Sequence, residues 1–352
     1  MKTTLRTPSR RIVLAGAALI LASTWAASAQ AQNTKIRFQL DWRFEGPSAI
    51  FLVAEKKGYF KEEKLDVTID AGNGSGAAVN RVASGAYEMG FADLAALMEF
   101  QGNNPGAPNQ PMGVMMIYNN TPAAVFSLKK SGIKTPKDLE GKKIGAPSFD
   151  GGRRSFPIFA QANKIDDSKV NWVSMDPALR ETMLARGDVD AITGFYFTSL
   201  LNLNARGITD QDIAIMSYPE YGVKLYGNAI IADRSFAKKN PEAVKGFLRA
   251  VTKATRDVLA DPAASIATVK ERDGIIDTAL ELKRLRLAIQ TAIDTPDARA
   301  DGFGDITPAR MALMAAQVTR TYGTKATVDP EAAFDRSFLP AKSLTGTVLR
   351  NK

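Results

Sequence analysis

A chain of 352 residues with 46 basic and 37 acidic side chains has room for about two domains and carries a modest positive excess. It has no histidine and no cysteine, which excludes Cys/His metal centres, histidine-based triads, imidazole acid–base chemistry and a disulfide framework. Four basic residues of the net +9 lie in the first eleven positions; the remaining excess, about +5, is too dispersed to argue for nucleic acid or a membrane surface.

Residues 1–31 read as a secretory signal peptide. Lys2, Arg6, Arg10 and Arg11 precede an apolar run from Ile12 to Ala22, and Ala29-Gln-Ala31 offers a cleavage motif. The run is too short to span a bilayer. Arg10-Arg11 also form a twin-arginine pair. Read as an ordinary basic segment, they point to Sec export into the periplasm ahead of the twin-arginine route. No later apolar run approaches about 18 residues, so the mature chain is expected to be soluble, and a monomer.

The mature chain starts with Ile36, Phe38 and Leu40 alternating with polar neighbours, the period of a strand. A polar and aromatic turn holds Asp41, Trp42, Phe44 and Glu45. A helix then opens on Pro47 and stops at Gly58. Strands follow at Leu65–Ile69, Met89–Ala92 and Met112–Tyr118, with helices over about 77–84 and 94–101 between them. Further strands are predicted at 123–128, 143–146, 170–174, 191–194, 213–216 and 229–232. Thr135-Pro136-Lys-Asp138 reads as a helix start, and a helix is expected over 177–186. This rhythm predicts two successive α/β units with mainly parallel sheets. Beyond Asn240-Pro241 the chain turns helical, with Val244, Phe247, Leu248 and Val251 on one face.

Asp41-Trp42, Lys57-Gly-Tyr-Phe60, Ala83-Ser-Gly85, Met89-Gly-Phe-Ala-Asp93, Asp138-Leu-Glu-Gly-Lys142 with Ile144-Gly145, Ala185-Arg-Gly-Asp-Val-Asp-Ala191 and Asn240-Pro-Glu-Ala-Val244 occur in this order. Together they resemble exported solute-binding proteins of ABC importers, in the branch that binds alkanesulfonates, taurine, nitrate and thiamine pyrimidine precursors. The resemblance covers about residues 35–340. It implies a type II periplasmic-binding-protein fold: two α/β lobes joined by two crossovers, with a helical C-terminal part packed on lobe one. Lobe one would be 33–121 and 228–352, and lobe two 122–227. A small organic solute (a sulfonate, a carboxylate or a pyrimidine-like molecule) would be captured between the lobes by hinge closure. It would pass to a membrane permease and its ATPase subunit. Neither a cofactor nor a metal is expected.

Three segments suit the cleft, because helix N-termini and strand ends present N–H groups and partial positive charge to a ligand. They are Gly74-Ser75-Gly76, the stretch Ser148 to Gly152 with Phe149 and Gly151, and Gly194-Phe195-Tyr196-Phe197-Thr198. Trp42 suits a cleft wall. Asp93 is either a cleft ligand or the cap of the next helix. Arg153 and Arg154 suit a planar oxyanion. Tyr221 and Tyr226 lie near the second crossover. Asp41, Glu45 and Asp93 make the lobe-one side acidic, which suits an amine or aminopyrimidine.

Two enzyme readings compete with binding. Gly72-x-Gly74-x-x-Ala77 after a strand matches a dinucleotide fingerprint, which would make the chain an exported NAD(P)-dependent oxidoreductase. Related proteins that make the thiamine pyrimidine resemble the fold but rely on a histidine and a cysteine-rich motif, which this chain lacks. A protein without catalysis is therefore expected, with a periplasmic ligand sensor as a further alternative.

Overall fold

The structure, a computed structural model, describes residues 33–349. The segment read as a signal peptide, with its export motifs, lies outside the described residues. The strands are β1 (Thr34–Gln39), β2 (Leu65–Asp70), β3 (Met89–Asp93), β4 (Pro111–Met116), β5 (Ala123–Leu128), β6 (Lys143–Ala146), β7 (Asn171–Ser174), β8 (Ala191–Phe195), β9 (Ile213–Ser217) and β10 (Asn228–Asp233). They form two five-stranded sheets, in the orders β2-β1-β3-β10-β4 and β7-β6-β8-β5-β9.

Both sheets are mixed. β1 and β3 run parallel, as do β6 with β7 and β8. β5 and β10, which carry the chain from one sheet to the other and back, run antiparallel to both neighbours. The reason is geometric. β4 ends at the edge that faces the other lobe, so the chain enters the second sheet at its facing edge. A strand entering there runs opposite to the strands that end there. Each returning strand takes the fourth place in its sheet, so the two lobes repeat one plan.

β3, β4, β5 and β10 are buried along their whole length, which is why their sequences read as apolar runs rather than alternating ones. The helix Ala49–Lys56 buries six consecutive residues, Ala49 to Ala54, and Gly58 ends that segment in the left-handed region at φ 75°. The long helix Pro241–Ala260 lies on it. Phe247 stacks on Phe60 at 4.9 Å and meets Phe38 at 4.9 Å, so the C-terminal helices complete the first lobe's core. A second apolar cluster joins the lobes, with Leu94 and Met98 of the first beside Phe156 and Phe159 of the second.

Two local expectations are corrected. Thr135-Pro136 starts only a 3₁₀ turn, Pro136–Leu139, because Gly141 turns the backbone left-handed at φ 77° before an α-helix can propagate. The helix expected from residue 177 begins at Arg180. No helix among the described residues is long and apolar enough to cross a membrane.

Candidate functional site

The first lobe's wall is the segment after β1. Asp41 is buried, and its Oδ2 accepts from the side-chain amide of Asn228 at 2.7 Å. Burial pushes its carboxyl up to about 7, against the lowering effect of that hydrogen bond, and the charges of Glu45 and Asp150 push the same way as burial. Its backbone is pinned, since Gly74 donates to the Asp41 carbonyl at 2.7 Å and Gly72 to that of Trp42 at 2.9 Å. The Trp42 indole N–H is buried with no protein partner, and so is the Ser75 hydroxyl at the start of the helix Ser75–Ala83.

The second lobe's wall is an ion cluster. Arg180 is 1% exposed; it donates to Asp150 at 3.0 Å and to Glu181 at 2.9 Å. Asp150 also caps the helix Gly151–Ala162, accepting from the Arg153 N–H at 2.9 Å. Burial raises the Glu181 carboxyl, but the Arg180 charge and the bonds from Ser199 and Arg180 outweigh it and hold the group below its usual range. The Arg180 guanidinium also lies 4.9 Å from the Trp42 ring centroid, across the gap between the lobes. It reaches there past Gly194, where any side chain would strike Ser199 Oγ at 2.2 Å and the guanidinium at 2.9 Å.

Aromatic rings close the floor. Tyr118 packs edge-on against Phe91 at 5.1 Å, Phe197 at 5.7 Å and Phe195 at 6.4 Å, rings from both lobes. The space so enclosed is about 560 Å³, its mouth included.

The lobes touch at defined points. Gly76 donates to the Phe149 carbonyl at 3.1 Å, and Thr198 Oγ1 donates to Glu45 Oε2 at 2.8 Å. Arg284, on the C-terminal helix Thr278–Ala288, donates to the Phe197 and Thr198 carbonyls at 3.0 and 2.9 Å. It pairs with Glu281 at 2.9 Å and lies 3.4 Å from Glu45. Gly74 adopts φ 142°, and a Cβ there would lie 2.3 Å from the Phe149 carbonyl oxygen. The glycines read as a dinucleotide fingerprint are thus occupied by close backbone contact, Gly72 against the Leu40 carbonyl and Gly74 against Phe149.

Seven residues predicted for the site line this cleft: Asp41, Trp42, Glu45, Gly74, Ser75, Gly151 and Phe195. Gly194 backs it, and Phe149 stands at the lobe contact with its ring 41% exposed. The others lie elsewhere. Asp93 is buried behind the wall and caps the helix Leu94–Asn103 through Ala95 and Ala96. Ser148 hydrogen-bonds Ser174 at 3.1 Å. Arg153 turns away because successive helix residues rotate by about 100°; it bonds the Ala146 carbonyl and Ser174 and covers Trp172. Arg154 pairs with Glu99 at 2.8 Å. Tyr196 packs on the second lobe's own core, and Tyr221 lies 6.0 Å from Phe159. Tyr226 accepts from the Thr307 N–H at 2.9 Å beneath Arg310.

Sequence reasoning missed Arg180 and Tyr118 and reached Asp150, Phe197 and Thr198 only as members of its candidate segments; all five line the cleft. Phe197 had a signal: two positions after Phe195, side chains at a strand's end return to the same side, with Tyr196 between them facing away. Arg180 had none, since Arg-Glu in a helix's first turn reads as solvated surface.

A family model described as NMT1/THI5 like matches residues 47–265. An Aspergillus parasiticus protein named 4-amino-5-hydroxymethyl-2-methylpyrimidine phosphate synthase is 28% identical over 260 residues, 71% of this chain and 74% of that protein. Among solved structures, the alkanesulfonate-binding protein SsuA from Xanthomonas axonopodis pv. citri, bound to MOPS, superposes with a TM-score of 0.68. It is 16% identical, and the match covers 87% of this chain and 99% of that one. The periplasmic aliphatic sulphonate binding protein SsuA from Escherichia coli gives 0.67 at 14% identity, covering 86% and 92%. The fold is therefore that of the periplasmic binding proteins of ABC importers. The expectation of a protein without catalysis is corrected by the Aspergillus relative, which is named for an enzyme.

Proposed function

Because the chain belongs to the NMT1/THI5-like family, we propose that its cleft captures a small planar amine of the aminopyrimidine kind, and that the chain delivers this solute in the periplasm to an ABC permease and its ATPase subunit. The observation that carries the reading is the buried Asp41 carboxylate beside Trp42. Among the described residues, the cations lining the cleft are Arg180, already held by two carboxylates, and the exposed Arg43. A bare sulfonate or nitrate would find little uncommitted positive charge. A flat heteroaromatic amine would stack against Trp42 and give its N–H groups to Asp41. It would also accept from the indole N–H and the Ser75 hydroxyl, which with Arg180 Nη2 are the buried donors of the cleft that have no hydrogen-bond partner.

The test is a thermal-shift titration of the mature protein with 4-amino-5-hydroxymethyl-2-methylpyrimidine, an alkanesulfonate and nitrate. Ligand at about 100 times its Kd stabilises the folded state by about 2.7 kcal/mol, a rise of several degrees in Tm. The pyrimidine is expected to give that rise and the two anions none; a shift with the sulfonate alone would overturn the assignment. A second reading, favoured by the name of the Aspergillus relative, is that an aminopyrimidine is made in this same cleft. Mass spectrometry of the small molecules released after incubation separates the two, since delivery returns the added pyrimidine unchanged.

A further inference from the structure

We propose that Asp93 is a positioning residue: it carries a proton on Oδ2, donates it to the Asn228 side-chain oxygen, and so holds the Asn228 amide with its N–H groups toward Asp41. The proposal deepens the reading of Asp41 as the group that meets the ligand, and rests on it.

Asp93 ends β3 and Asn228 begins β10, and the two are paired residues across these antiparallel strands. Directly opposed side chains share a face with Cβ atoms roughly 5 Å apart. Both residues are buried, Asn228 at 0% and Asp93 at 1% exposed. Asp93 Oδ1 accepts from the Ala95 and Ala96 N–H groups, at 2.9 and 3.2 Å. Its Oδ2 has no partner, and neither has Asn228 Oδ1. Two buried acceptors on directly paired residues therefore have nothing to accept from, which costs about 1–3 kcal/mol for each group left so.

Within the protein, the amide itself can resolve this. It offers a donor on one side and an acceptor on the other, so two flanking carboxyls cannot both be bases. One accepts from the amide and the other donates to it. Turning the amide over merely exchanges the roles. Asp41 lines the cleft and takes the donor at 2.7 Å, so the acid is Asp93. The groups that face it are the Asp41 and Asp150 carboxyls and the phenols of Tyr218 and Tyr322, with the Glu99–Arg154 pair beyond Tyr322. Burial is the largest influence on Asp93 and pushes its carboxyl up to about 8, although two backbone N–H groups pull it down.

The test has a ligand-free arm and a binding arm. In the first, carboxyl-carbon NMR of aspartate-labelled full-length protein is followed with pH in wild type and Asp93→Asn. The expected result is that the aspartic acid that keeps its proton to the highest pH disappears in Asp93→Asn. An Asp93 that ionises before Asp41, with the last acid to titrate lost instead in Asp41→Asn, overturns the proposal whether or not any pyrimidine binds. In the second, affinity for 4-amino-5-hydroxymethyl-2-methylpyrimidine is measured against pH. Wild type should weaken above about pH 8 as the proton is lost, by up to about tenfold per pH unit. Asp93→Asn, whose amide donates at every pH, should bind as well and show no alkaline loss. Asp93→Ser still caps the helix but cannot reach Asn228, so it should fold with a Tm lowered by a few degrees and lose about tenfold in affinity. An Asp93→Ser variant that binds like wild type would reduce Asp93 to a cap. If the pyrimidine fails to bind while the neutral acid is found, the functional reading falls and the Asp93 proposal stands.

Discussion

Asp41 shows how one residue can be set for recognition by being hidden. Its carboxyl is raised to about 7 by burial, so the folded state holds a proton that the unfolded chain, at about 3.9, has already released. Stability from this group is fully present below the unfolded value and is lost as pH rises to about 7. The Tm of wild type should therefore fall more steeply than that of Asp41→Asn between about pH 4 and 7, as calorimetry at several pH values would show. Equal slopes would mean that water or a counter-ion solvates the group. Trp42 makes the complementary prediction. Trp42→Ala removes the stacking wall and the unpartnered N–H together, and should weaken pyrimidine binding by at least tenfold, about 1.4 kcal/mol, in isothermal titration with the far-UV spectrum unchanged. Of the cleft, Asp41, Trp42 and Glu45 were legible because polar and aromatic residues at a strand's end have little reason to be there except to meet something. The cluster of Asp150, Arg180 and Glu181 was not legible. Its members answer one another across 30 residues, and each alone looks like a helix cap or a surface charge.

Elements explain why the lobes meet as they do. All ten strands could be read from apolar runs and alternation, because burial on a sheet imposes a period. A period has no direction, so nothing in β5 or β10 announces that it runs against its neighbours. The helix Thr278–Ala288 was legible as part of a helical tail, yet its hydrogen bonds to the second lobe come from Arg284. Removing that side chain in Arg284→Met leaves Glu281 and Glu45 near one another without their cation and strands two carbonyls of the opposite lobe. Breaking a buried pair in this way costs about 3–5 kcal/mol, to be read from the midpoint of urea unfolding. Gly74→Ala tests the other contact. The new Cβ has no room against Phe149, and the backbone angle is one that L side chains rarely adopt. Ligand-free Gly74→Ala should scatter X-rays as a more open particle than wild type; an unchanged radius of gyration would show that the lobes yield locally.

At the scale of the molecule, the two sheets are written into the chain differently. The second is one unbroken stretch from Ala123 to Ser217. The first waits for β10, and its pairing of Asp93 with Asn228 joins positions 135 residues apart. Pairings so distant in sequence form slowly, because long loops must close before any contact compensates them. Pulsed hydrogen exchange during refolding should therefore protect the second lobe's amides before those of β3 and β10. The two crossing strands thus impose an order of events on the newborn protein. Asn228, the partner of Asp41, arrives on the last strand to be laid down, so a half-folded chain lacks one wall of the cleft. Under the proposed function, capture becomes available only when the last strand is in place, and a chain caught mid-assembly could not be delivered already loaded.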